Sequence, residues 1–261
     1  MFVSVRWKVI LLTSLLLVGL SGYFIVNSER QLKHLLDSGR QEVFLNYQSE
    51  IAGLLQQSYD HLLQLSDIIP ILESEAGRSD GQPLVAIIDQ HWEYVSLNWG
   101  MENALLFDAE GTLQGRWGVG TRVADQALID QVLQSGMPVS RLSCFNVCQQ
   151  IVTLPIISPN GRLKVLELST SLADTLRAFQ KITQADIGLL VPDEALISDM
   201  RLVKPWAKRV AAMTHFDESM AMLREAAKQM SFEQLSAEPH VIEQVDGYYE
   251  ISLIDVKTGT L

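Results

Sequence analysis

The chain has 261 residues, with 31 Asp and Glu against 20 Lys and Arg and a formal net charge of −11. An acidic surface repels phosphate backbones and anionic lipid, so no nucleic-acid partner is expected. At the usual 100 to 200 residues per domain, roughly, the chain has room for a membrane segment and two small domains, and two cysteines allow one intramolecular bridge at most.

The amino terminus comes first. VILLTSLLLVGLSGYFIV (Val9 to Val26) runs 18 residues without a charge, enough for a transmembrane helix. Arg6 and Lys8 precede it, no acid does, and Glu29 is the first acid after it. The positive-inside rule then keeps the terminus in the cytoplasm and exports everything after about Ser28. A cleaved secretory signal is the rival; Ser21 and Gly22 are small enough for a cleavage site, but Tyr23, Phe24, Ile25 and Val26 carry the apolar run past them. An uncleaved anchor is the preferred reading. The exported part would carry 18 basic against 31 acidic residues, a net of −13.

From Asn27 to Ile69 there is no proline, and Phe44, Tyr47, Ile51, Leu54, Leu55, Tyr59, Leu62, Leu65 and Ile69 recur at spacings of three and four. This predicts an amphipathic helix continuous with the span and, at 1.5 Å per residue, about 60 Å long. Its stripe must pack on the following domains or on the same helix of a second copy. Pro70 is expected to end or kink it, and Gly77 to Gly81 to form a polar connection. PLVAIIDQHWEYVSL (Pro83 to Leu97) then reads as a second helix with proline at its start.

Beyond it the period changes to that of strands. Glu102 to Asp108 and Leu113 to Gly118 flank a tight turn with Gly111 at a position suited to positive φ, and Val123 to Gly136 reads as a short helix closed by glycine. Gln149 to Ser158 and Arg162 to Ser171 flank Pro159-Asn160-Gly161, a second hairpin. Pro155 within the first of these strands suggests an edge or a bulge. A helix from Leu172, a strand around Ile187 to Val191, a helix over Phe216 to Met230 and a hairpin turning at Asp246-Gly247 complete the order. The second half echoes the first in element order only, and the chain stops just past a paired strand, so its last domain is expected to be incomplete.

With an amino-terminal anchor, a long helix and two successive sheet units, the sequence resembles the extracytoplasmic sensor region of double Cache proteins, the PAS-like sensors found ahead of diguanylate cyclase, phosphodiesterase and histidine kinase outputs. ALLFDAEGTLQGRWG (Ala104 to Gly118), CFNVCQQIVTLPIISPNGRLKVLELSTSL (Cys144 to Leu172) and ADIGLLVP (Ala185 to Pro192) carry the resemblance. It implies an α+β protein of the bacterial inner membrane with its bulk in the periplasm. Its parts would be a cytoplasmic end and transmembrane helix (1–27), a projecting helix (28–69), a membrane-distal Cache domain (70–180) and a membrane-proximal one (181–261). The ligand pocket would lie in the distal unit, and the long helix would relay occupancy to a cyclic-di-GMP or kinase output. The family continues to a second span and an output domain, which this sequence does not contain. It also lacks the Arg-Xaa-Trp-Tyr type of motif with which amino-acid-binding members hold their ligand; RLVKPWAK (Arg201 to Lys208) does not supply it.

Cys144 and Cys148 allow three readings. Outside the cytoplasm the pair tends to oxidise, and a structural disulfide tying the entry of a strand leads. A redox site needs a strained or exposed bridge, and a metal clip lacks ligands, since His91 and His215 are distant in sequence. Arg116, Trp117, Arg122 and Arg141 are the candidate ligand residues. Arg116 and Trp117 face opposite sides of a strand, and an arginine offers a carboxylate or phosphate a bidentate donor; the plainer reading is a solvated arginine beside a core tryptophan. No phosphate loop, Gly-Xaa-Ser-Xaa-Gly or His-Glu-Xaa-Xaa-His occurs, so no catalytic residue, metal or cofactor is expected. The leading function is a small-ligand sensor, dimeric through the long helix. The alternative is an anchored docking protein without a small-molecule pocket.

Overall fold

The computed structural model describes residues 5–79, 84–118, 124–144, 147–158, 161–193, 201–244 and 247–255, without the side chains of 5–6, 8–12, 66–79 and 244. The chain divides into two units, Met1–Ser49 and Glu50–Leu261. In the first, helix α1 (Val5–Ser79) exposes apolar side chains all round, among them Leu15, Leu16, Leu17, Val18, Tyr23, Phe24 and Ile25. The predicted span begins among side chains outside the described set, and among the described residues no helix is long and apolar enough to cross a membrane. Pro70 does not end α1, which runs on to Ser79. An interior proline removes one ladder bond but breaks a helix only when neighbouring turns cannot hold it.

In the second unit α1 presents Ile51, Leu55, Leu62 and Leu65, all buried and separated by four, seven and three positions, the spacing of one helix face. They share a side of the sheet with helix α2 (Leu84–Trp99), which buries Leu84 and Ile87. The sheet contains β1 (Met101–Phe107), β2 (Leu113–Gly118), β3 (Val139–Cys144), β4 (Cys148–Ile157) and β5 (Leu163–Ser171) in the order β2-β1-β5-β4-β3, every pair antiparallel. Helix α3 (Gln126–Ser135), capped by the Asp125 side chain and closed by Gly136 at φ 66°, lies in the β2–β3 connection as expected.

Because side chains alternate along a strand, the sheet has two distinct faces. One carries Ala104, Leu106, Trp117, Val152, Leu154, Ile156, Leu166 and Leu168 into the core shared with α1 and α2. The other carries Leu105, Phe107, Val139 and Val165 against Ile129 and Val132 of α3. Burial on both faces is why β1, β4 and β5 read as continuous apolar runs rather than alternating ones. Gly115 makes room on the first face: a Cβ there would meet the Trp117 ring at 2.3 Å. In the β1–β2 turn, Asp108 Oδ1 accepts from the backbone N–H of Glu110 (3.1 Å) and Thr112 (2.8 Å), while Gly111 takes φ +75°. Pro155 sits where β4 has lost its outer partner, because β3 pairs only with residues 148 to 153. The missing N–H is tolerated there, and the edge predicted from sequence is a local one.

Strand β3 makes the cysteine pair intelligible. Cys144 and Cys148 are directly opposed at the end of the β3–β4 hairpin and joined by a disulfide. Among the described residues no group of three or more His, Cys, Asp or Glu is placed to hold a metal ion.

After helix α4 (Leu172–Thr183), β6 (Gly188–Pro192), β7 (Leu202–Val203) and β8 (Lys208–Met213) form a sheet in the order β6-β8-β7, and β9 (His240–Gln244) pairs with β10 (Gly247–Ile251). Helices α5 (Phe216–Gln229) and α6 (Phe232–Ala237) join them. Val203, Trp206, Val210, Met220, Leu223, Leu235 and Ile242 make a core of their own. Trp206 Nε1 donates to the Met230 carbonyl at 2.9 Å, and the capping box of Ser231 and Gln234 starts α6.

Two outcomes test this packing. Leu166→Ala should cost about 2–5 kcal/mol, read as a lower urea midpoint at unchanged slope; a smaller loss would mean that the α1–sheet core is not close-packed. Burial, and then the Asp60 charge, hold the Tyr59 phenol above the usual tyrosine value. The native state keeps that proton longer than the unfolded chain, so its contribution is complete below a pH of about 10 and is lost as pH rises through the raised value. Tyr59→Phe should therefore flatten the alkaline limb of stability against pH, and an unchanged limb would contradict the assignment.

Candidate functional site

Polar residues concentrate on the sheet face opposite α1. The register sets two rows across all five strands. One reads Gly118, Asn103, Ser169, Ile151, Arg141; the next reads Arg116, Leu105, Glu167, Thr153, Val139. At their centre Glu167 is 2% exposed, Ser169 1% and Thr153 1%. Thr153 Oγ1 donates to Glu167 Oε2 at 3.3 Å, and Asn103 Nδ2 donates to Ser169 Oγ at 3.2 Å. Burying a carboxylate is costly unless it is paired, and the Thr153 hydroxyl supplies one of the hydrogen bonds of this one.

Asp125 organises the rim. Its Oδ1 accepts from the Ala127 N–H (3.2 Å) and so caps α3, while its Oδ2 accepts from Arg141 Nη1 (2.8 Å). One carboxylate thus pins the start of α3 to the edge strand β3. The pair is partly exposed, at 25% and 40%, and worth about 0.2–1 kcal/mol. Arg141 Nε is buried with no hydrogen-bond partner among the described residues, which leaves that guanidinium a donor to spare.

Of the four predicted ligand residues, the three described ones are not brought together. Arg116 is exposed on β2 and Arg141 half-buried on β3. They share a face but stand on opposite edge strands, roughly 20 Å apart at the usual strand spacing. Trp117 faces the other way, into the α1–α2 core, where its Nε1 donates to Asp89 Oδ1. Arg122 lies outside the described residues, in the segment between β2 and α3. Sequence reasoning missed Glu167, Asn103, Thr153, Ser169 and Asp125. The signal was present in KVLELST: a carboxylate midway along a strand apolar on both faces belongs to a site more readily than to a core.

On the α1 face, Leu65, Leu84, Ile88, Trp92, Trp99 and Met101 are among the residues lining an apolar cavity of about 50 Å³. It is larger than one water molecule, and its lining is mostly hydrocarbon, with His91 also at its wall.

No curated protein matches the sequence significantly. Among solved structures, the sensor domain of the V. cholerae histidine kinase DctB is 13% identical, with a TM-score of 0.44 over 88% of this chain and 90% of that one. The ligand-binding domain of the Pseudomonas aeruginosa PAO1 amino acid chemoreceptor PctC, in complex with GABA, is 16% identical, with a TM-score of 0.40 over 61% of this chain and 74% of that one. The family assignment rests on a match along the sequence itself. Residues 27–249 fit the model of a double Cache family, described as the double sensory domain of two-component sensor kinase. That match covers most of the chain, which therefore belongs to the double Cache sensor family.

Proposed function

We propose that the chain is the extracytoplasmic ligand-sensing part of a membrane signalling receptor. The observation that carries this reading is the division of labour in the five-stranded sheet. One face holds the α1 stripe, and the opposite face buries Glu167, Thr153, Ser169 and Asn103 beneath the α3 rim. A small ligand on the polar face would act on a sheet whose other side grips the helix. Its occupancy can shift the α1 packing only by as much as it prefers one arrangement over another.

The ligand would sit over Glu167, with Arg141 at one rim and Arg116 at the other. In this reading Trp117 is packing that carries the sheet's position to α2 through Asp89. The anchor reading is supported by the 18 uncharged residues from Val9 to Val26 and by the all-round apolar exposure of α1 over its described part. The acidic remainder of the chain would then be periplasmic, with one Cache domain over 70–180 and a second over 181–261. Dimerisation through α1 is supported by the exposed Leu32, Leu35, Leu36 and Val43, which would give a second copy an apolar surface.

A thermal-shift screen of the full chain against organic acids, amines and nucleobases tests the site. A binder at 100 times its Kd should stabilise by about 2.7 kcal/mol, several degrees in Tm. The shift should vanish in Glu167→Gln and shrink in Arg141→Ala, while both variants keep the fold. A library without a stabilising compound, or a hit indifferent to both substitutions, would overturn the polar-face site.

A further inference from the structure

The Cys144–Cys148 bond closes so short a loop that its entropic effect on global stability is small, well below the ~3 kcal/mol expected of a 15-residue loop. Its effect is on the register of one hairpin end. Strand β3 is an edge strand whose ladder partner is β4 alone, and the pairs next to the disulfide are Ser143 with Gln149 and Leu142 with Gln150. Those two glutamines leave β4 on opposite faces. Gln149 Nε2 donates to Glu102 Oε2, at the start of β1. Gln150, fully buried, donates from Nε2 to the Leu55 carbonyl of α1 at 3.0 Å and to Ser140 Oγ of β3 at 3.5 Å.

The Leu55 contact is unusual in kind. A carbonyl inside a helix already accepts from the N–H four residues on, so Gln150 adds a second donor and ties the sheet to α1 at a polar point within a leucine stripe. The Gln150 carboxamide oxygen is buried without a hydrogen-bond partner among the described residues. Its orientation is therefore set by its donor side, on Leu55 and Ser140, and Ser140 belongs to the strand that the disulfide clamps.

We propose that Cys144–Cys148 is a reducible clamp whose state sets how firmly Gln150 holds α1, a redox input separate from any ligand on the polar face. Cys148 is buried and Cys144 half-buried, which leaves Cys144 Sγ the accessible sulfur. A dithiol attacks there: its thiolate bonds to Cys144 Sγ and Cys148 leaves as a thiolate. The second thiol of the reagent then releases Cys144 and closes the reagent to a cyclic disulfide. Two electrons and two protons pass from the dithiol to the protein, which ends with two thiols. Without the bond, the end of β3 frays from Gln149 and Gln150, and the Leu55 contact loses its support.

Hydrogen exchange of the full chain in detergent micelles, with and without dithiothreitol, reads this directly. Reduction should raise exchange at the hairpin end and also in α1 around Leu55 to Leu62, by about five-fold for the loss of one net hydrogen bond, with the core of Val203 to Ile242 unchanged. The double variant Cys144→Ser, Cys148→Ser should reproduce that pattern without reductant. Gln150→Leu should raise exchange in α1 with the disulfide intact and make α1 insensitive to reduction. Faster exchange confined to the hairpin end would leave the bond a local staple and overturn the proposal. So would a rise spread evenly over the Val203 to Ile242 core, which would mean general destabilisation.

Discussion

The second unit depends on the burial of one leucine stripe. Leu62 and Leu65 take α1 out of water because the β2-β1-β5-β4-β3 sheet offers Ala104, Leu106, Leu166 and Leu168 in the same core, and Ile51 and Leu55 continue the buried stripe. Each fully buried side chain of this size contributes about 1.5–3 kcal/mol, so the stripe outweighs any capping or surface pair in the unit. Gly115 and Trp117 follow from it. The glycine leaves the space the indole fills, and the indole N–H finds the Asp89 carboxylate on α2 instead of being buried unpaired.

With one face committed to α1, the other is free to differ. Its lower part is ordinary core under α3, with Phe107, Ile129, Val132 and Val165. Its centre is polar, and a buried carboxylate beside a threonine, a serine and an asparagine stabilises the fold less than hydrocarbon of the same volume would. Asp125 joins the two parts by capping α3 and holding Arg141 with the same carboxylate.

The later residues repeat the logic at smaller scale. Helix α5 covers its strands with Met220, Leu223, Ala226 and Ala227, and Trp206 is locked by its bond to the Met230 carbonyl and by an edge-to-face contact with Phe232 at 5.9 Å. The double Cache match runs through both halves to residue 249, which accounts for the recurrence of sheet and covering helix within a single chain.

Much of this was legible before any coordinates. Hydrophobic period separated helices from strands, Asp108 to Gly111 and Gly136 marked their turns and ends, and Ala104 to Gly118 with Cys144 to Leu172 pointed to the family, because these signals act within a few residues of chain. Other features were not legible. Pro70 suggested an end or a kink, and α1 does not end there, since one missing ladder bond need not stop a helix. The bounds of strand β3 were not legible, because it carries few apolar residues and takes its ladder from β4. Arg116 and Arg141 looked like neighbours in a site, yet strand order places them on opposite edges; that Trp117 faces away from Arg116 was legible, but not that its face is the one packed on α1 and α2. The amino-acid sequence by itself determined the elements, their order and the family, through local periodicity and turn chemistry. Only the tertiary structure decided which residues meet, because register and strand order are set by contacts between positions as far apart as Leu55 and Gln150.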